Sequence, residues 1–319
     1  MIRFAILGAG NIAHRFAASL SHERDAQLVA VSCRTRQKAE AFLAEVSHAD
    51  GARAYGSHEE LLSDVEVDAI YLALPHALHR EWAIRAMRAG KAVLCEKPAM
   101  LSAQEMREVA LVSRETGVLF MEAMKPRFVA IYEQIMMAIE DICPVTRIEA
   151  TLCNDMLGLV EGTGSYHMTP GPGAGVLLDC GTYCASWVVT FCPGELELIS
   201  VAGEQKNGID VYADAQLTNG SVTARLECAF DRAKSRTATI VGERGRIVVE
   251  ELHRPQRATV YVDGVAPRVL DVPYEVDDFY SEIHHFASLL RSGEAESPVM
   301  SLADSVACAS VLDVVRAAL

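Results

Sequence analysis

Near the N-terminus, Gly8-Ala9-Gly10-Asn11-Ile12-Ala13 follows an apolar, strand-like run and opens a segment of helical period. Gly8 permits a tight turn, Gly10 lets the backbone approach a pyrophosphate, and Ala13 takes the small position where helix and strand pack. Ala9 in the loop and Asn11 and Ile12 at the helix start offer main-chain N–H groups to such an anion. The competing reading is a tight turn that holds no ligand. The end of the next strand reads Ala30-Val31-Ser32-Cys33-Arg34-Thr35-Arg36. An NAD site normally puts an acid there, roughly 20 residues past the glycines, to hold the ribose 2′-hydroxyl. Here there is none. Arg34, directly after Cys33, stands where a planar guanidinium meets a 2′-phosphate, which predicts NADP in preference to NAD. Otherwise Arg34 and Arg36 are solvated loop charges. The third feature, Glu96-Lys97-Pro98, follows the run Ala92–Cys95. Pro98 biases Lys97 toward extended geometry, so the backbone aims its side chain. A partly buried lysine beside a cationic nicotinamide loses proton affinity and becomes a usable proton shuttle. Taken alone, Glu-Lys-Pro is more often a surface turn.

The elements around these residues alternate. Apolar runs at Ile2–Leu7, Leu28–Ser32, Val67–Leu74, Ala92–Cys95 and Val118–Glu122 read as strands, with helical periodicity between them. Ser102 with Glu105 makes a capping box for a helix that Gly117 closes. Strands with little internal alternation, separated by helices, predict a parallel sheet covered on both faces, a doubly wound Rossmann-type α/β domain over residues 1–123. Residues 124–319 read as an α+β domain with a large, mostly antiparallel sheet. A helix near Phe128–Glu140 and a strand near Arg147–Cys153 lead into a Gly/Pro-rich loop from Asp155 to Gly175. That loop contains Gly162, Gly164, Pro170, Gly171, Pro172 and Gly173, and a helix over Val176–Thr190 follows it. Hairpins turn at Asn219-Gly220 and Asp263-Gly264, and two helices end the chain, near Asp278–Leu290 and Leu302–Ala318.

Composition narrows the partners. A net charge of −14 argues against nucleic acid, which needs a basic surface. No apolar run reaches the roughly 18 residues of a membrane span, and the N-terminus lacks a signal-peptide cleavage site, so a cytoplasmic protein without membrane attachment is expected. The nine scattered cysteines fit free thiols and no disulfide framework. Cys180 and Cys184, one turn apart with His167 upstream, read as packed core thiols rather than metal ligands, so no metal is expected.

Several motifs occur in order: the glycine loop, Leu74-Pro75-His76-Ala77-Leu78-His79, Gly90-Lys91, Cys95-Glu96-Lys97-Pro98, Met121-Glu122-Ala123, Arg127-Phe128, and Leu177-Leu178-Asp179-Cys180-Gly181-Thr182-Tyr183-Cys184. Together they resemble the glucose–fructose oxidoreductase / inositol dehydrogenase (Gfo/Idh/MocA) family, most closely its dihydrodiol dehydrogenase and NADP-dependent xylose dehydrogenase branch. The resemblance runs through Ser297-Pro298-Val299 and so covers essentially the whole chain.

The resemblance implies an oxidoreductase that moves a hydride between NADP(H) and the CH–OH group of a small polyhydroxyl substrate. It places Lys97 near the reacting carbon. Tyr183, where many members have histidine, becomes the general acid/base, and Asp179, one turn earlier, shares its face. Leu74, Pro75, His76, His79 and Glu96 fall where the family contacts the cofactor, and Arg127 falls near the substrate. Lys125 replaces a tryptophan of the branch, which leans toward a polar carbohydrate. A homodimer or homotetramer is implied. The rival class is a non-catalytic NADP(H)-binding sensor, for which aimed proton-transfer groups have no use. A further reading, transient cofactor use as in some family glycosidases, calls for tightly held NAD, which the missing acid disfavours.

Overall fold

The computed structural model describes residues 1–160 and 168–319. Gly162, Gly164 and His167 lie outside the described residues. The chain divides into two compact units. The first holds Met1–Met100, Gln104–Lys125 and Glu275–Ser305, and the second holds Leu101–Ala103, Pro126–Tyr274 and Val306–Leu319.

In the first unit, β1 (Ile2–Leu7), β2 (Ala26–Ser32), β3 (Arg53–Tyr55), β4 (Ala69–Leu72), β5 (Ala92–Glu96) and β6 (Phe120–Ala123) form one sheet in the order β3-β2-β1-β4-β5-β6. Every pairing is parallel. The connecting helices are α1 (Asn11–Leu20), α2 (Arg36–Glu45), α3 (His58–Leu62), α4 (His79–Arg88) and α5 (Ala103–Thr116). Strand β1 is apolar throughout except Arg3, and Phe4 through Leu7 have no exposed surface, as a strand covered on both faces requires. The register sets Leu7 against both Ser32 and Leu72, and Leu72 against Cys95. The loops after β1, β2, β4 and β5 therefore leave along one edge, at the point where the strand order reverses.

The helix Tyr280–Ser292 belongs to this unit and lies against α1. Ser19 Oγ donates to Asp277 at 2.9 Å, and Arg291 bonds Asp25 at 2.9 Å. Phe286 comes within 5.7 Å of Phe4, and Phe16 stacks on Tyr71 at 3.7 Å between ring centres.

In the second unit, eight strands form one sheet: β7 (Val145–Cys153), β8 (Glu197–Lys206), β9 (Ile209–Thr218), β10 (Thr223–Ala229), β11 (Ala238–Gly242), β12 (Gly245–Val249), β13 (Arg257–Val262) and β14 (Arg268–Asp271). Their order is β14-β13-β12-β11-β7-β10-β9-β8. The pairings are antiparallel except β7 with β10, which run parallel. Hairpin reading sees only sequence neighbours, so it cannot anticipate β7 entering mid-sheet beside a strand that comes much later. Helices α6 (Ala130–Ile142) and α8 (Thr182–Phe191) lie against the sheet, and a short α7 (Leu157–Val160) precedes the loop. Val211, Ala213, Ala215 and Leu217 of β9 are buried, while Asp214 and Gln216 between them reach the other, wetter face. A last helix, Leu302–Ala317, closes the chain, and no described helix is long and apolar enough to cross a membrane.

Phe16→Ala removes a fully buried ring from the stack on Tyr71. It is expected to cost about 3–5 kcal/mol, read as a lowered denaturation midpoint of the first unit; an unchanged midpoint contradicts this packing.

Candidate active site

At the end of β1, Gly8 has φ +96°, and a Cβ there would lie 2.5 Å from the Ala73 carbonyl oxygen. Only glycine fits this approach between neighbouring strand ends. Gly10 is different: a Cβ would meet nothing within 4 Å. It stands at the N-cap of α1, where no side chain accepts from the first-turn N–H groups. The open space faces a helix end whose dipole and free donors favour an anion. Asn11 is exposed and Ile12 half-buried at that end.

The Cys33 thiol is buried at the end of β2, and burial raises its pKa while Lys38, the Ala9 N–H and Arg34 pull it down. Arg34, Arg36 and Lys38 are exposed around Thr35, whose hydroxyl caps α2 by accepting from Lys38 N. Among the described residues no carboxylate pairs with Arg34 or Arg36. Lys38 is a cation the sequence reading passed over; its signal was its place in the first turn of α2, two residues after Arg36. An open glycine, an uncapped helix end and unneutralised cations at neighbouring strand ends fit a phosphorylated dinucleotide.

Lys97 is braced on both sides. Ahead of it, Glu96 accepts from the Tyr71 hydroxyl and, at 3.2 Å, from the Lys97 N–H. After it, the cis peptide to Pro98 leads into a main chain held by His79. The fully buried His79 ring has Nε2 2.8 Å from the Leu74 carbonyl and Nδ1 3.2 and 3.1 Å from those of Pro98 and Ala99. Glu122 takes the Ala99 N–H at 2.9 Å. Burial pushes the His79 pKa down, while the three carbonyls pull the other way. Both ring nitrogens therefore face main-chain carbonyls, to which the neutral ring donates its one N–H, and the ring joins the loop after β4, with Leu74 and Pro75, to the loop after β5. His76 is buried edge-on to His79, with ring centres 5.5 Å apart. Glu96 and Lys97 are half-buried, between the buried runs 92–95 and 98–100.

Lys125 does not stand as a bare ammonium wall. Its Nζ is buried, bonds Asp278 at 2.6 Å and sits 4.7 Å from the centre of the Phe279 ring. Asp278 also pairs with Arg15. Beside them Glu282 is buried with neither carboxyl oxygen hydrogen-bonded. Burial first, then the negative charge of Glu96, raises the Glu282 pKa well above the usual carboxylate range, against the pull of Lys125.

In the second unit, a π-helical turn at Leu177–Gly181 runs into α8. Between Gly175 and Val189, Asp179 is the one residue that is not buried. A charged side chain breaking the surface of so apolar a segment is a functional candidate, and π-helical turns are frequent at such places. Tyr183, 8% exposed, lies edge-on to His253 at 5.9 Å between ring centres. His253 was not foreseen, since it sits in a turn without any motif. Arg127 is buried against α8: its Nε donates to Ser186 Oγ at 2.8 Å, and Nη2 donates to Ser186 O and Thr190 Oγ1 at 3.1 and 3.0 Å. Cys184 is buried with its thiol donating to Glu227 O at 3.6 Å, and burial drives its pKa up.

Residues 2–124 match the profile of an oxidoreductase family with an NAD-binding Rossmann fold (GFO_IDH_MocA), and residues 136–248 match the GFO/IDH/MocA C-terminal domain. The chain is 30% identical to scyllo-inositol 2-dehydrogenase (NADP(+)) IolU of Bacillus subtilis, over 99% of this chain and 96% of that protein. It is 31% identical to trans-1,2-dihydrobenzene-1,2-diol dehydrogenase of Mus musculus, over 100% and 97%. Among solved structures, KijD10, a 3-ketoreductase from Actinomadura kijaniata in complex with NADP and TDP-benzene, superposes with a TM-score of 0.87 at 26% identity, over 99% and 97%.

Glu282 keeps its proton in the folded protein above the pH, about 4.3, at which an unfolded chain releases it. Stability is therefore lost as pH rises through that window. Glu282→Gln cannot ionise, so its melting temperature should exceed wild type at pH 8 and converge with it near pH 4. A gain independent of pH, or a loss at pH 8, contradicts this assignment.

Proposed function

Because the chain belongs to the GFO/IDH/MocA oxidoreductase family, we propose that it is an NADP-dependent dehydrogenase or reductase that interconverts a CH–OH group and a carbonyl on a small polyhydroxyl substrate. The observation that carries this reading is the carboxyl edge of β1 and β2. There an open Gly10 over an uncapped helix end lies along the same edge as Arg34 and Arg36, with no acid to hold a ribose hydroxyl. Ala9, Asn11 and Ile12 would hold the pyrophosphate through main-chain N–H groups, and Arg34 the 2′-phosphate, with Cys33 flooring the loop. Leu74, Pro75, His76 and His79 shape the wall after β4, and Glu96 with Lys97 the wall after β5. NADP(H) supplies or accepts the hydride.

The chain's own residues manage the rest. Lys97 and Tyr183 carry the hydroxyl proton: the lysine as an aimed cation that stabilises an alkoxide, the tyrosine as the proton donor or acceptor. Asp179 holds a substrate hydroxyl. Arg127, expected near the substrate, acts on it through α8, whose Ser186 and Thr190 take its guanidinium donors. The named activities of the relatives, on an inositol and a dihydrodiol, support a polyhydroxyl substrate. The working form in this reading is a dimer or tetramer, as the family resemblance implies.

The test follows absorbance near 340 nm with NADP⁺ or NAD⁺ across aldoses, inositols and trans-dihydrodiols. Wild type should reduce NADP⁺ with at least one of these. Lys97→Met should lower kcat by about 10²–10⁴-fold, and Arg34→Ala should raise KM for NADP⁺ roughly 10-fold or more while leaving NAD⁺ almost untouched. Tight NADPH binding by both wild type and Lys97→Met, with no turnover in either, would sink the enzyme reading in favour of a sensor.

A further inference from the structure

The segment that carries Asp179 and Tyr183 begins without a cap of its own: no side chain of the segment accepts from its first N–H groups. The acceptor comes from another element. Asp210, second residue of β9, takes the Leu177 N–H on Oδ2 at 2.7 Å. Its other oxygen lies over Gly175, where a Cβ would come to 1.9 Å from Oδ1 and 2.6 Å from Cγ. Gly175 also has φ +98°, so two independent constraints demand glycine there. Asp210 is held in turn by the hairpin it opens. Asn207 and Gly208, with φ 54° and 78°, make a two-residue turn between β8 and β9. The same turn meets the far end of the loop, where Pro170 Cγ lies 3.8 Å from the Cβ position of Gly208. Burial raises the Asp210 pKa, while the N–H groups of Leu177 and Val176 pull it down.

We propose that Asp210 is a positioning residue for the reaction: its carboxylate fixes the main chain at 175–177, and so sets where the π-helical turn presents Asp179 and where α8 presents Tyr183. The inference rests on the reading that these two side chains meet the substrate. The geometry explains why an acid should stand at this hairpin. A π-helical turn widens the backbone, and the Asp179 N–H reaches the Gly175 carbonyl only at 3.4 Å. Such a turn needs an outside acceptor to hold its first residues. Asp210 supplies one from a sheet strand, and so meets the demand that supporting groups lock a site within fractions of an ångström. Asp210 itself touches no reacting atom. It acts through the Leu177 N–H and the carboxylate seat over Gly175.

The experiment compares wild type, Asp210→Ala, Asp210→Asn, Gly175→Ala and the Asp210→Ala/Gly175→Ala double variant. It reads kcat, KM for substrate, NADPH affinity, and amide hydrogen exchange over residues 176–183. Asp210→Ala should lower kcat by about 10- to 100-fold, leave NADPH affinity within about twofold because the dinucleotide contacts lie in the other unit, and speed exchange over 176–183. Asp210→Asn keeps an amide oxygen for the Leu177 N–H and should recover most of the kcat. Should Asp210→Ala fail to fold, Gly175→Ala still displaces the carboxylate without removing it and should show the same kcat loss. The double variant should be no slower than the slower single one, since both changes break one contact.

A kcat within about twofold of wild type in Asp210→Ala overturns the inference, as does an equal loss of NADPH affinity or an Asp210→Asn no better than Ala. A wild type inactive on every alcohol of the panel overturns the functional reading, and the positioning role with it. An active wild type with an indifferent Asp210→Ala overturns the positioning role alone.

Discussion

The imidazole of His79, buried and within hydrogen-bond distance of three main-chain carbonyls, holds together the two loops on which the chemistry proposed for the first unit depends. A parallel sheet delivers its strand ends to one edge, but the loops leaving that edge have no ladder to fix them. Here the loop after β4 is tied at Leu74 and the loop after β5 at Pro98 and Ala99, so the peptide carrying Lys97 is set by a side chain at the start of α4. Glu96 and Tyr71 complete the brace from the strand side. A flexible lysine becomes useful for proton transfer only when its backbone is this well determined, because its four-carbon stem otherwise samples many positions.

The second unit solves the same problem differently. Its candidate residues lie on a helical segment that is buried almost throughout, and the polar groups around that segment hold it rather than line it. Arg127 grips Ser186 and Thr190 from one side, and Asp210 caps the first turn from the sheet. Both are charged groups whose cost of burial is offset by bonds to the segment they position. Asp179 alone breaks the apolar surface. In each unit the residues assigned to the chemistry are half-buried or barely exposed, while the residues that orient them are more deeply committed to main chain or helix.

Much of this was legible from local sequence. The glycine loop, the Glu-Lys-Pro turn and the Asp-x-x-x-Tyr spacing are short-range features, and their order along the chain was enough for the family and the α/β-plus-α+β fold. Strand β3 escaped because Arg53-Ala54-Tyr55 is three residues long and none of them is buried, so it carries no apolar run. The brace made by His79 has no local signal because its acceptors lie 5, 19 and 20 residues away. The ion pair of Lys125 could not be read because its partner Asp278 is 153 residues downstream, on a segment that returns to the first unit. Asp210 is one acid among 43, and only the close approach over Gly175 distinguishes it. Residues with a motif around them could be read; residues that act by bracing another element could not, since bracing leaves no local pattern.

The most direct test of the central claim follows the hydride itself. The protein is incubated with NADPH carrying deuterium at the nicotinamide C4, with the keto form of each sugar or inositol of the panel, and the alcohol formed is weighed by mass spectrometry. The account predicts an alcohol one mass unit heavier with wild type and no labelled alcohol above background with Lys97→Met, while both proteins bind NADPH equally. Binding of NADPH by wild type without transfer of label to any carbonyl would contradict it, and would leave a protein that holds the dinucleotide without using it.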